Sequence, residues 1–321
     1  VLAAAFLHRP EVFSDVYAPV LDRIRARAEI VYGPAAHADP ARLGPVEVLC
    51  TSWGAPVLDA ALLDAMPRLK LVLYAAGSVR KLVTPEFWAR EVPLVSAYRA
   101  NAVPVADFTY AQIVYALKGG WRYALGARAA GAPMTRVPQP GLYGSRVGLL
   151  SLGAIGRLVV DRLRALAVDV VAHDPFAGPY DGVRMVELAE LFATSDVVSV
   201  HTPLLDETRG LVGRELLGSM RQGATLINTA RGAILDEAAL VEVLAGRPDL
   251  FAALDVTDPE PPVPGSPLFT LPNVVLTPHI AGSLGAERGL LGELVAGELE
   301  RFADGLLLEH ALTREAAERL A

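Results

Sequence analysis

Three observations in the sequence predict an α/β protein built on parallel sheets. Apolar strand-like runs alternate with segments of helical period along the chain, clusters of polar and charged residues follow directly after those runs, and one run leads into a glycine-bearing turn. At 321 residues the chain exceeds one typical domain, which suggests two. Its 52% hydrophobic and 20% charged content describes a globular protein with a large core.

Residues 1–101 show strand-like runs at 3–7, 46–50, 69–73 and 92–96, separated by helical periodicity over segments such as 16–28 and 58–66. That alternation makes a small α/β domain. Its loops Thr51-Ser52-Trp53-Gly54, Ala76-Gly77-Ser78-Val79 and Tyr98-Arg99-Ala100-Asn101 all follow strand ends, where open α/β sheets bind ligands. A helix follows over 103–118, with Pro104 suited to its first turn and Gly119-Gly120 ending it. A second helical stretch, 121–130, gives way to GAPMTRVPQPGLYGS, which is too rich in Pro and Gly to be an element and reads as a connecting arm.

The stretch 146–175 carries the strongest local signal. An apolar strand (147–150) runs into the turn Ser151-Leu152-Gly153-Ala154-Ile155-Gly156, then a helix-period segment, then a second apolar strand ending at Asp174. This is a βαβ unit of about 30 residues, the setting of a dinucleotide fingerprint. Gly153 lets a pyrophosphate approach the helix N-terminus, Gly156 allows close helix–strand packing, and Asp174 stands where a carboxylate accepts from a ribose diol. That carboxylate favours NAD over NADP. The pattern departs from the fingerprint at its first glycine, which is Ser151 here, and the turn must hold its backbone with a serine. Beyond it, helices at 186–194, 214–220 and 237–245 alternate with strands at 196–200, 224–228, 250–255 and 274–277. Six strands with crossover helices make a doubly wound parallel sheet. A last helix over 286–304 precedes a tail with no visible chemistry.

Composition narrows the partners. A net charge of −7, with no Lys/Arg-rich run, argues against a nucleic-acid surface. No apolar run reaches the roughly 18 residues of a membrane span. The first residues read as a strand rather than a signal peptide, and the single Cys50 suits a reducing compartment, so the expected location is the cytoplasm. The His and Cys residues show no metal-ligand spacing.

Three clusters at later strand ends carry the chemistry: Asn228-Thr229-Ala230-Arg231-Gly232, Asp255-Val256-Thr257-Asp258-Pro259-Glu260 and Thr277-Pro278-His279-Ile280-Ala281-Gly282. Together they offer a guanidinium, a carboxylate and an imidazole. Hydride transfer to a carbonyl beside a carboxylate needs a cation to fix the substrate and an acid to protonate the forming alkoxide.

These clusters, with VGLLSLGAIG, HDP, HTPLLDETRGLVG and LPNVVLTPHIAG in one order and spacing, resemble the D-isomer-specific 2-hydroxyacid dehydrogenase family over nearly the whole chain. The resemblance implies a Rossmann-type cofactor domain, 102–283, inserted into a smaller flavodoxin-like α/β substrate (catalytic) domain made of 1–101 and 284–321. It implies that two chains pair through the insert as a homodimer. Carried over to this sequence, it makes Arg231 the substrate-orienting cation, His279 the proton donor and acceptor, and Glu260 the carboxylate that holds His279. It implies NAD contacts from Gly153, Ala154, Ile155, Gly156, Asp174, Thr202, Pro203, Thr208, Thr229, Ala230, Arg231 and Asp255. It implies that the loop Gly77-Ser78-Val79 offers backbone N–H groups to the substrate carboxylate, and Trp53 and Tyr98, on loops after strands of the smaller domain, are expected to shape the side-chain end of the pocket. The leading expectation is thus an NAD-dependent oxidoreductase on small 2-keto or 2-hydroxy acids. The alternative is a non-catalytic NAD(H)-sensing protein of the corepressor type with the same fold.

Overall fold

Apolar runs without polar alternation belong in sheets covered on both faces. The structure is a computed structural model that describes residues 1–320, and every pairing between its named strands is parallel. The chain divides into two units, Val1–Asn101 with the stretch from Ser283 onward, and Ala102–Gly282.

The first unit holds β1 (Leu2–Leu7), β2 (Ala28–Ala35), β3 (Val48–Thr51), β4 (Leu71–Tyr74) and β5 (Leu94–Ser96), in the order β2-β1-β3-β4-β5. The two-residue period of a strand sorts its apolar side chains onto opposite faces. Phe6, Cys50, Leu73 and Val95 pack with the helix Gly289–Ala303, whereas Leu7, Leu49, Val72 and Leu94 pack with Leu62, Leu63 and Phe87 on the other side. Four strands are expected from the sequence and five are present. The additional strand, β2, is an edge element that contains Gly33-Pro34 and buries only two of its eight residues, so it lacks the apolar run that marks the others.

The second unit holds β6 (Arg146–Leu150), β7 (Asp169–His173), β8 (Arg184–Met185), β9 (Val197–Val200), β10 (Thr225–Asn228), β11 (Phe251–Leu254) and β12 (Val274–Leu276). Their order is β12-β11-β10-β9-β6-β7-β8, a doubly wound sheet that reverses direction between β6 and β9. Six strands are expected and seven found, because β8 is a two-residue edge too short to give a pattern. Leu150, Val198, Val200, Leu226, Ala252 and Leu254 share one core with Phe192 and Leu240, while Val147, Leu149, Val197, Ile227 and Ala253 share the opposite one with Val159 and Leu163.

Two differences among the helices bear on the site residues and the tail. The helix expected at 103–118 is Tyr98–Leu117, so Tyr98 opens a helix instead of lying on a loop, and Pro104 lies inside it. The Ser96 hydroxyl accepts from Tyr98 N (3.2 Å) and Asn101 N donates to Ala97 O (3.0 Å), which starts the turn early enough to override the proline signal. The tail contains a further short helix, Arg314–Arg319. Residues 131–145 form no helix or strand, as the connecting arm requires. No helix among the described residues is long and apolar enough to cross a membrane.

Candidate active site

In the second unit, the residues singled out above follow the carboxyl ends of β6, β7, β9, β10, β11 and β12, all on one edge of one sheet. The fingerprint turn lies at the point where strand order reverses. Ser151 takes φ 81, the left-handed backbone a glycine would supply at little cost. For an L-residue this conformation costs about 1–2 kcal/mol. Ser151 N donates to His173 O (2.9 Å), and its hydroxyl pairs with that of Thr202 (3.0 Å), so neighbouring strands hold the strained residue in place. Gly156 is required by packing, since a Cβ there would lie 2.4 Å from Ser151 O. Gly153 caps the ten-residue helix Ala154–Leu163 without a side chain, and a Cβ on it would meet no atom within 4 Å. Nothing inside the protein demands glycine at 153. The open helix end, with the first N–H groups unpaired, fits the pyrophosphate of a dinucleotide.

Asp174 is more heavily engaged than the sequence suggests. Its Oδ2 accepts from Leu152 N (2.8 Å), and its Oδ1 accepts from Phe176 N (2.8 Å) and Ala177 N (3.0 Å). The carboxylate therefore holds the fingerprint turn, in addition to the ribose contact expected of it from the sequence. Thr202 is buried, and Thr208 closes its own turn by donating to Pro203 O (2.6 Å) and accepting from Leu205 N (2.8 Å). His201 is buried with Nε2 3.0 Å from Ser199 Oγ, and burial pushes its pKa down to about 4, so it is neutral at neutral pH and packs as a buried imidazole.

The chemical groups come together beyond β10, β11 and β12. His279 Nδ1 lies 2.6 Å from Glu260 Oε1, with both side chains partly exposed. Arg231 is largely buried. Burial lowers its pKa from the ordinary guanidinium value, and the charge of Glu260 opposes that effect. It still carries its charge at neutral pH. The loop that presents Arg231 is shaped by Asn228, whose amide donates to Arg231 O (2.9 Å) and whose Oδ1 accepts from Ala230 N (3.0 Å). Gly232 lets this loop meet the next one, because a Cβ on it would lie 2.0 Å from the Thr257 carbonyl carbon. Thr229 shares a hydroxyl–hydroxyl bond with Thr109 (2.9 Å).

Asp255 is 3% exposed and anchors the His279 loop. It accepts from Thr277 Oγ1 (2.6 Å), Ile280 N (2.8 Å) and Ala281 N (2.9 Å). His279 itself has φ 53 and donates its N–H to Asp255 O (2.9 Å). The sequence places Asn228, Gly232 and Thr277 inside the chemical clusters without assigning them a supporting role, and does not mark Thr109 at all. The N-T-A-R-G turn composition marks Asn228 and Gly232, but the Thr109 bond spans 120 residues and has no local signal.

In the first unit, Trp53, Gly77-Ser78-Val79 and Tyr98 follow β3, β4 and β5 on one sheet edge. The Ser96 hydroxyl lies within hydrogen-bond reach of Ala76 O (3.0 Å) and Gly77 O (2.7 Å), and the Val79 side chain is fully buried. Trp53 is partly buried against both faces of the sheet, with the Arg288 guanidinium 5.8 Å from its ring.

Comparison with known proteins places these features in a family. Residues 115–281 match the family model described as D-isomer specific 2-hydroxyacid dehydrogenase, NAD binding domain. The chain is 33% identical to D-3-phosphoglycerate dehydrogenase of Archaeoglobus fulgidus over 79% of its own length and 49% of that protein. It therefore spans about half the length of the phosphoglycerate dehydrogenases it matches. It is 31% identical to glyoxylate reductase of Korarchaeum cryptofilum over 80% of each chain. The NAD-complexed D-isomer specific 2-hydroxyacid dehydrogenase of Lactobacillus delbrueckii superposes with a TM-score of 0.83 over 97% of this chain and 100% of that one, and at 19% identity it shows the fold alone. With a family model over half its residues and a relative matched along most of both chains, this protein belongs to the D-isomer-specific 2-hydroxyacid dehydrogenase family and carries its NAD-binding domain.

Proposed function

We propose that the protein is an NAD-dependent oxidoreductase that moves a hydride between the cofactor and C2 of a small 2-keto or D-2-hydroxy acid. The observation that carries this reading is the His279–Glu260 pair, 2.6 Å apart, on the same sheet edge as Arg231. NADH, when bound, supplies the hydride, and NAD⁺ accepts it. Glu260 engages Nδ1 of His279 and leaves Nε2 for the substrate oxygen. Nε2 gives a proton to that oxygen as the carbonyl is reduced and takes it back as the alcohol is oxidised. Arg231, whose Nη1 also donates to Ala230 O (2.6 Å), is the cation that orients the substrate carboxylate. Gly153, Ala154, Ile155 and Gly156 hold the pyrophosphate and Asp174 the ribose. Thr202, Pro203 and Thr208 line the adenine side, and Thr229, Ala230 and Asp255 the nicotinamide side.

In this reading 102–283 is the cofactor domain, and 1–101 with 284–321 is the substrate domain. Gly77, Ser78 and Val79 turn backbone N–H groups to the substrate carboxylate, and Trp53 and Tyr98 shape the side-chain end. Two copies pair through the cofactor domain. The helix Gly120–Ala130 buries no residue, and the arm after it exposes Met134, Val137 and Tyr143, which supports a covered face there. The protein works in the cytoplasm, where the buried thiol of Cys50 stays reduced.

The test is NADH consumption with glyoxylate, hydroxypyruvate, pyruvate and bulkier 2-keto acids. His279→Gln should lower kcat at least about a hundredfold, and Arg231→Gln should raise KM as well. Tight NADH binding without turnover of any keto acid would favour the sensor alternative instead.

A further inference from the structure

The tail that carries no visible chemistry in the sequence lies against the loop read above as the substrate loop. β5 is the edge strand of its sheet, and its outer side is covered by Ala311, bridged antiparallel to Val95, and by Leu312 N donating to Leu94 O (2.8 Å). Thr313 then caps the helix Arg314–Arg319 by accepting from Ala316 N (3.1 Å). That helix turns Ala317 inward, leaving it 2% exposed in the same buried cluster as Val79, Leu82 and Phe87, with Leu312 packed beside them. Beyond it, Leu320 O accepts the Ser78 hydroxyl (3.2 Å).

The loop is thus gripped from two sides. Ser96 engages the carbonyls of Ala76 and Gly77, and the tail ties Ser78 and packs into the buried cluster that contains Val79. Backbone N–H groups bind an anion well only when the loop is already in the binding conformation, because ordering it on binding costs affinity. Ser96 lies in the strand next to the loop and is fixed by the sheet. The tail is a short helix joined by one capped turn, so its grip on the loop depends on the docking of Ala317.

We propose that residues 311–320 are a positioning element for the substrate loop, with Ala317 and Leu320 holding Val79 and Ser78 in the orientation that binds a substrate carboxylate. This rests on the reading of Gly77-Ser78-Val79 given under the proposed function. A segment that merely stabilised the first unit would change unfolding without changing KM selectively.

The experiment uses the full chain with Ala317→Lys, which puts a charge into the cluster and lifts the helix, and with the milder Ala317→Gly. The proposal expects KM for the best keto acid to rise about tenfold in Ala317→Lys and a few-fold in Ala317→Gly, with kcat within about threefold and the NADH dissociation constant unchanged. Native-state hydrogen exchange should quicken at 77–83 while amides of β1 and β3 keep their protection. Release of 311–320 in the exchange data with KM unchanged overturns the proposal. If Ala317→Lys loses its fold, Ala317→Gly decides by the same readouts. If the unaltered protein reduces no keto acid, the proposed function fails, and exchange at 77–83 still reads whether the tail orders the loop.

Discussion

Replacing Asp255 by asparagine separates two roles that one carboxylate can have. The sequence resemblance makes Asp255 a nicotinamide contact, whereas the structure engages both its oxygens within the protein, with three donors from Thr277, Ile280 and Ala281. Asparagine has one carbonyl oxygen. If that oxygen keeps Thr277 and Ile280, the amide NH₂ faces the N–H of Ala281, donor against donor. At least one bond to a charged acceptor is lost, which costs about 1.5–3 kcal/mol, and a drop of about 2 kcal/mol should lower Tm by roughly 4–8 °C. The kinetic effect follows from the neighbouring backbone. His279 has φ 53, a conformation worth about 1–2 kcal/mol of strain in a non-glycine residue, and the loop anchored on Asp255 maintains it. Once the anchor weakens, relaxation to negative φ swings the imidazole away from Glu260. About 1–2 kcal/mol of released strain corresponds to a roughly 5–30-fold loss of the competent conformer, and kcat should fall by about that factor. KM should move little, because Arg231 is held by Asn228. The assay is thermal unfolding with steady-state kinetics and NADH titration. Unchanged Tm and kcat with a weakened NADH affinity would refute the anchoring argument and make Asp255 a direct cofactor contact.

Further outcomes follow from other parts of the cofactor unit. His201 is neutral when folded, with a pKa near 4 against 6.5 unfolded, so its contribution to stability is present above pH 6.5 and is lost as pH falls toward 4. The stability advantage of the unaltered protein over His201→Gln should shrink by about 3 kcal/mol between pH 7 and 4, as read by urea unfolding, and a pH-independent difference would place the imidazole in water. NADH should bind at least about tenfold more tightly than NADPH because of Asp174. Asp174→Asn should weaken both cofactors, since Leu152 N loses its carboxylate, and a clean switch to NADPH would show that the turn does not depend on it. Gly232→Ala puts a Cβ 2.0 Å from the Thr257 carbonyl carbon. It should cost about 1–3 kcal/mol and raise KM through displacement of Arg231, and a neutral result by calorimetry and kinetics would mean that the two loops separate freely.

The parts of the fold legible in the sequence are those whose signal is local. The run from Val147 to Asp174 declares a strand, a turn and a helix by period alone, and the structure has all three in that stretch. β2 is not legible because it contains Gly33-Pro34 and only two of its eight residues are buried, so its identity comes from pairing with β1 rather than from its own pattern. The start of the helix at Tyr98 was hidden because Pro104 is a strong local signal, outweighed here by the Ser96 hydroxyl and the Ala97 carbonyl that begin the turn.

For the candidate site, the distinction runs between side chains to which chemistry is proposed and those that hold loops. Arg231, Glu260 and His279 belong to residue types that strand ends seldom carry together without a use, so a sequence can point to them. Thr109, Thr202 and Thr277 are ordinary threonines, and the sequence, which points to Thr202 as a cofactor contact and to Thr277 as part of the His279 cluster, gives no sign of the group each hydroxyl reaches in the folded chain: Thr229, Ser151 and Asp255. Ser151 shows how the two levels interact. A serine at a position that wants glycine reads as a defect in the fingerprint, yet its hydroxyl bonds to Thr202 across the point where strand order reverses. A hydrogen bond of this kind is worth about 0.5–1.5 kcal/mol, which is comparable to the strain of the left-handed backbone. The departure from the motif is thereby offset within the same turn, by an interaction that glycine could not make.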